Sequence, residues 1–301
     1  MNEPKNQHTI PKCYLKQFVD PTYPKKHGPR VWLFKRDSRI GEAKSPASML
    51  TGEDVYTIVV NGQKNYTIET TLNKLEDKYA RLHKKKIAKR LPLNDEEHIY
   101  LCAFVAAMMF RTTGHRKSLA RLFDQLEDHA NGNTEFLERL RHARENSHKT
   151  DPITMLPHVV EILMNMHLAF LCADNSAVKF ISSDNPVVLF NPRLQWAPGF
   201  VGPGLMQKHI EVVMPLSPNT CTYFTWHDFF RGYMHIDETR AQEQNRLIRG
   251  HCDEYFIASS PKVSRIWFSR YPYDPVFIAR IIFFRAKQWV LRLWRKARRH
   301  I

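Results

Sequence analysis

Glycine is scarce in this sequence, with 11 residues among 301, and the 18 prolines are an ordinary number. Collagen-like and low-complexity proteins are therefore excluded. Cysteine is also limited to five residues, an odd number at wide spacing and without a CxxC pair. That pattern excludes a disulfide framework and a zinc ribbon.

Long apolar runs are missing as well. The N-terminal residues lack the apolar core of a signal peptide. The longest apolar candidate, residues 153–173, contains Pro157, Glu161 and two histidines, which is unlike a membrane span. A cytoplasmic location is the expectation.

Basic and aromatic residues are what the sequence has in excess. Lysine and arginine number 45 against 30 acidic residues, for a net charge of +15, and 12% of the residues are aromatic. The aromatic content predicts a folded core and excludes disorder over most of the length. The charge favours a polyanionic partner, and nucleic acid is the expected one.

The charge is concentrated at the C-terminus, where residues 276–301 carry eight basic side chains and no acidic one. Aromatic and aliphatic residues alternate with these charges, and Pro275 favours a helix that begins just after it. Three interpretations stay open for this helix: docking on the body of the protein, contact with an anionic membrane surface, and contact with nucleic acid. The residues predicted to bind a polyanion are Arg292, Arg295, Lys296, Arg298 and Arg299.

The sequence pattern predicts an α+β fold with a helix-rich middle flanked by strand-bearing segments. Asn94, followed by three acidic residues, marks a helix start. Helices are predicted over 67–89, 94–112, 117–143 (with a break near 131–133), 156–171 and 238–250. Strands are predicted over 31–34, 55–60, 177–190, 211–214, 220–226 and 254–258.

A set of short motifs follows the chain in a fixed order. The first is QHxxPxxYLxxF at residues 7–18, where Gln7 and His8 are expected to enter together at the start of a helix. The later elements are Tyr56, Glu69, Glu76, Arg111-Thr112, Arg116, Ser183-Asp184-Asn185-Pro186, Pro215-Leu216-Ser217-Pro218, Asn245 and Ser259. In this order the motifs resemble the domain-of-unknown-function family 4238. The resemblance implies one α+β domain over residues 5–262, separate from the tail helix at 276–301, and it implies no settled activity.

Two acidic residues of this set, Glu69 and Glu76, are seven positions apart and so lie on one helix face. Two carboxylates in that arrangement are predicted to hold a divalent cation, Mg²⁺ or Mn²⁺, or to act with a histidine. The alternative is a solvated face with ion pairs to neighbouring basic residues.

His8, Glu76 and Asp184 are the predicted catalytic residues, because an imidazole needs a carboxylate within reach for acid–base chemistry. Each also has a local interpretation, such as a turn at Asp184 or a structural histidine. The residues predicted to bind substrate are Gln7, Arg111, Arg116, Ser183 and Asn185.

The hypothesis that joins these residues is that His8, Glu69, Glu76, Arg111 and Asp184 converge on one polar pocket. Together with the family resemblance and the basic net charge, such a pocket predicts a hydrolase of a phosphate-containing polymer, namely a bacterial or phage-defence nuclease. The alternatives are a non-catalytic nucleic-acid-binding module and a peripheral membrane protein anchored by the basic tail.

Overall fold

The computed structural model describes residues 6–60, 62–128, 130, 134–193 and 203–269. It confirms the α+β class, with a helical middle between two strand-bearing segments. The predicted tail helix at 276–301, with its polyanion-binding residues, lies outside the described residues, and its three interpretations stay predictions.

Seven α-helices are found in the described ranges. They are α1 (Lys12–Leu15), α2 (Thr67–Lys85), α3 (Asp95–Phe110), α4 (Thr113–Asp128), α5 (Thr134–Thr154), α6 (Leu156–Asn165) and α7 (Glu238–His251). Asn94 caps α3 as predicted: its side chain accepts from Glu97 N, and the Glu97 carboxylate accepts from Asn94 N. Helix α3 packs against α2, α5 and α6, and its middle is buried on all sides, so it forms the centre of the helical layer.

Two helix boundaries differ from the prediction. The amphipathic stretch that was predicted as 117–143 is two helices, α4 and α5, which meet near the predicted break and extend beyond both predicted ends. The helix that was predicted to run to Leu171 ends at Asn165, and residues 167–172 form a strand instead. This short apolar segment pairs with strands on both sides, and its periodicity alone does not separate a buried strand from a buried helix.

Thirteen strands lie in the described parts of the chain. They are β1 (Asn6–His8), β2 (Val31–Lys35), β3 (Gly41–Lys44), β4 (Thr51–Glu53), β5 (Ile58–Val60), β6 (Gln63–Asn65), β7 (His167–Cys172), β8 (Ser182–Ser183), β9 (Val188–Phe190), β10 (Glu211–Ser217), β11 (Thr220–Thr225), β12 (Gly232–His235) and β13 (Tyr255–Ala258). A five-stranded sheet has the order β12-β7-β11-β10-β9, antiparallel except for the parallel β12–β7 pair. An antiparallel four-stranded sheet has the order β3-β2-β13-β8.

The structure of the N-terminal motif also differs from the prediction. Gln7 and His8 do not enter at the start of a helix but lie on β1, which pairs antiparallel with β4. Helix α1 begins only at Lys12, after the extended Pro11. The strand predicted over 55–60 is reduced to β5, which forms a two-stranded hairpin with β6.

Buried residues from both halves of the chain form the main core. Tyr14 is fully buried there, and its hydroxyl lies 2.7 Å from Ser182 Oγ and donates to Pro215 O at 2.6 Å. The N-terminal motif is thereby fixed to β8 and β10. Among the helices of the described ranges, none is long and apolar enough to span a bilayer.

Candidate functional site

Arg111 lies at the centre of a polar cluster formed by β1, α2 and the turn before β5. It follows the last residue of α3, and its side chain is only 2% exposed. Its Nη1 donates to Glu76 Oε1 at 2.7 Å, its Nη2 to His8 O at 2.9 Å, and its Nε to Tyr56 Oη at 3.4 Å. One guanidinium therefore fixes three segments that are far apart in the sequence.

The His8 imidazole is half-buried beside this guanidinium. Its Nε2 lies 3.3 Å from Pro46 O, a long contact. Burial lowers the pKa of His8, the Glu76 carboxylate opposes this shift, and the Arg111 charge adds to it. The imidazole is therefore neutral at neutral pH, which is the form that accepts a proton.

Glu69 and Glu76 lie on the same side of α2, as their spacing predicted. Glu69 is 8% exposed, and its Oε2 is buried without a hydrogen-bond partner, while Oε1 accepts from Asn73 Nδ2 at 3.4 Å. Burial raises the pKa of Glu69, the Arg111 charge opposes this shift, and the Glu76 carboxylate adds to it. A buried carboxylate oxygen without a partner is costly, and a bound cation would satisfy it.

The described residues contain no group of three or more histidine, cysteine, aspartate or glutamate side chains that could hold a metal ion. Two carboxylates still suit Mg²⁺ or Mn²⁺, because such ions keep several waters and take other ligands from substrate phosphates. The Glu69 oxygen without a hydrogen-bond partner, Oε2, fits the role of a cation ligand. Glu76 Oε1 accepts the hydrogen bond from Arg111.

Gln7, predicted to bind substrate, is fully buried. Its Nε2 donates to Thr57 Oγ1 at 2.9 Å, and its Oε1 accepts from Tyr56 N at 2.6 Å. Both ends of the amide are thus used to hold the turn that carries Tyr56. These contacts position the cluster around Arg111.

The structure does not bring Asp184 into this cluster. Its carboxylate accepts from the backbone N–H groups of Asp253, Glu254 and Tyr255 at 2.7–2.8 Å. Burial raises the pKa of Asp184, and these three donors oppose the shift. Among the described residues, no hydrogen bond or ion pair joins Asp184 to His8 or Arg111. Its observed contacts fix the loop between α7 and β13.

Within the described ranges, no hydrogen bond joins the remaining predicted substrate-binding residues to His8. Ser183 Oγ accepts from Asn185 N at 3.2 Å, and Asn185 Nδ2 donates to His251 O at 3.1 Å. Arg116 lines a small cavity of about 210 Å³ with Arg144, and its charge acts on the Tyr56 hydroxyl. No contact within the described ranges tests whether these three residues bind substrate.

Sequence reasoning missed two neighbours of the cluster. Thr57 receives the Gln7 amide, and Cys13 Sγ lies 3.8 Å from Glu76 O. Burial raises the pKa of Cys13 to about 12, so this cysteine is a thiol at neutral pH. The sequence could have indicated Thr57 because it directly follows the motif residue Tyr56. For Cys13 the only indication was its position inside the N-terminal motif.

The comparisons with known proteins identify a family without an assigned activity. The model of the family described as Protein of unknown function (DUF4238) matches residues 6–262. No curated protein and no solved structure matches the chain.

Proposed function

From the residues of this chain, which belongs to the DUF4238 family of proteins of unknown function, we propose that it is a phosphodiester hydrolase, a nuclease centred on His8. The observation that carries this proposal is the Arg111 guanidinium, which holds the His8 backbone and the Glu76 carboxylate together. His8 and Glu76 are separated by 68 positions, so local structure does not explain their proximity.

His8 is the general base. Its neutral imidazole takes a proton from the attacking water, the water oxygen forms a bond to phosphorus, and the bond from phosphorus to the leaving oxygen breaks. The lowered pKa of His8 keeps the base unprotonated at neutral pH. The leaving oxygen takes a proton from solvent.

Glu69 and Glu76 are the residues that would hold a divalent cation, and such a cation supplies charge neutralisation to the phosphate. The partnerless Glu69 oxygen supports this role. Arg111 is a positioning residue, because each of its three nitrogens already donates to a protein group.

Asp184 is left out of the proposed reaction, since its carboxylate is engaged with three backbone N–H groups. The net charge of +15 supports a polyanionic substrate. A bacterial or phage-defence role for this nuclease stays a prediction.

The test is cleavage of labelled single-stranded DNA, duplex DNA and RNA with Mg²⁺ or Mn²⁺, and with a chelator. We expect cation-dependent cleavage that falls about 10²- to 10⁴-fold in His8→Ala, the range for loss of a general base. The matched control is His158→Ala, which removes an exposed imidazole on α6 and should leave the rate unchanged.

Three results would contradict the proposal. Equal cleavage by His8→Ala and the wild type would show that His8 is not the general base. Salt-dependent binding of nucleic acid without turnover would favour the non-catalytic module. Flotation with anionic liposomes in place of nucleic-acid binding would favour the peripheral membrane protein.

A further inference from the structure

A polar cleft of about 410 Å³ lies outside the His8 cluster and shares no lining residue with it. It is formed where the turn at 217–220 meets the loop at 173–179 and the end of α2. Lys179 and Ser259 also line a second cleft of about 410 Å³, so the two clefts adjoin at these residues. Each is within the size range of small-molecule sites.

The backbone at Lys179 is held rigidly between the two clefts. The buried Asn245 side chain accepts from Ile181 N at 3.0 Å and donates to Lys179 O at 2.8 Å. Phe180 N donates to Pro218 O at 2.8 Å. A residue fixed in this way loses little conformational entropy when a ligand binds.

The Lys179 ammonium has no acidic partner within the described chain. Its Nζ donates to the backbone oxygens of Ala173 and Asp174 at 2.8 and 3.1 Å, which leaves one of its three N–H groups. The Asp174 carboxylate is paired with Arg90 instead. Burial lowers the pKa of Lys179, and an anion in the cleft would offset that cost.

Residues with hydroxyl side chains line the same cleft as this ammonium. Ser259 and Thr220 line the first cleft, and their hydroxyls make no hydrogen bond to any described residue. Ser217 Oγ accepts from Asn219 N at 3.3 Å and keeps its own proton as a donor. These donors suit the three strong acceptor oxygens of a phosphoryl group.

Apolar side chains form part of the wall of each cleft. Val19, Pro21 and Pro218 line the first cleft, and Val178 and Val263 line the second. The only acidic residue among the described lining residues is Asp174, which forms an ion pair with Arg90. Lys179 and Lys262 form no ion pair with a described acidic residue. The site therefore combines an anion-binding centre with room for an uncharged body.

We infer that these adjoining clefts bind a small organic phosphate of about nucleotide size, with its phosphoryl group at Lys179 and Ser259 and its body against the apolar walls. This site is independent of hydrolysis at His8. A nuclease that also binds a mononucleotide here would carry a second ligand site.

The test is calorimetric titration of the full chain with the four ribonucleoside monophosphates, with the matching nucleosides and with inorganic phosphate. We expect at least one monophosphate to bind more tightly than its nucleoside and than inorganic phosphate. Lys179→Met keeps the aliphatic stem and should weaken that binding about ten-fold or more, since a charged hydrogen bond is lost. Ser259→Ala should weaken it by a smaller factor.

The matched control is Lys208→Met, which removes an exposed lysine that lines neither cleft and should leave the affinity unchanged. Thermal melting of each variant shows whether it is folded. The absence of binding by every monophosphate at millimolar concentration, or equal binding by the wild type and folded Lys179→Met, would overturn the inference. Inorganic phosphate that binds as tightly as the monophosphates would overturn the role of the apolar walls.

Discussion

Replacement of Arg111 by methionine removes the charge that holds the candidate site together and keeps most of the side-chain volume. The guanidinium is 2% exposed and its partner Glu76 is 16% exposed, so the ion pair is largely shielded from water. Breaking a buried pair by removal of one partner costs about 3–5 kcal/mol. Because Glu76 retains some contact with water, we expect a loss of about 3 kcal/mol in the free energy of unfolding, or a fall of roughly 6–12 °C in Tm.

The assay is urea unfolding of the wild type, Arg111→Met, Glu76→Met and the double variant, monitored by circular dichroism. If the pair is direct, as its 2.7 Å distance indicates, the double variant should lose less stability than the sum of the single variants. A coupling of about 1–3 kcal/mol is expected for residues in contact. A loss under about 1 kcal/mol in Arg111→Met, with no coupling, would refute the role of Arg111 as the organising residue.

Three other substitutions test the roles of individual buried side chains. Glu69→Gln removes a buried carboxylate near Glu76, so the free energy of unfolding should stay equal or rise by up to about 1 kcal/mol. Cation-dependent cleavage should fall in this variant. A stable variant with full activity would contradict the cation site. Asp184→Asn should cost about 2–4 kcal/mol by urea unfolding, since an amide cannot accept from three N–H groups as a carboxylate does; an unchanged midpoint would contradict that structural role. Burial lowers the pKa of His83 from 6.5 to about 4. Between these two pH values the imidazole is protonated in the unfolded state and neutral in the folded state, so the folded state loses stability as the pH falls. The free energy of unfolding should then fall by about 3 kcal/mol between pH 7 and pH 4, and His83→Gln should lack this part of the pH dependence. The measurement is urea unfolding at a series of pH values. Equal slopes of the free energy of unfolding against pH in both proteins would contradict the prediction.

Local signals predicted the helical middle well. The cap at Asn94 depends on residues within one turn, so the sequence alone shows where α3 begins. The end of α6 was missed because the apolar run after it becomes a strand only through pairing with β11 and β12. Those partners lie about 50 or more positions further along the chain, and no local pattern reveals them.

The candidate site was predictable in its residue types and less so in its contacts. Glu69 and Glu76 share a helix face because of the helical repeat, which spacing alone shows. Arg111 reaches His8 O across 103 positions, and that contact depends on the tertiary fold that brings β1 to the end of α3. Asp184 was predicted to be catalytic as a carboxylate that could act with an imidazole, whereas its observed partners are backbone groups about 70 positions away.

The most direct test of the account is the pH dependence of phosphodiester cleavage by the wild type and His8→Gln. Because burial lowers the pKa of His8, the wild-type rate should rise with pH through a value below 6.5 and be level at neutral pH. In His8→Gln the residual rate should lack this rise. The same rise with pH in both proteins would show that another group is the base and would contradict the proposed site.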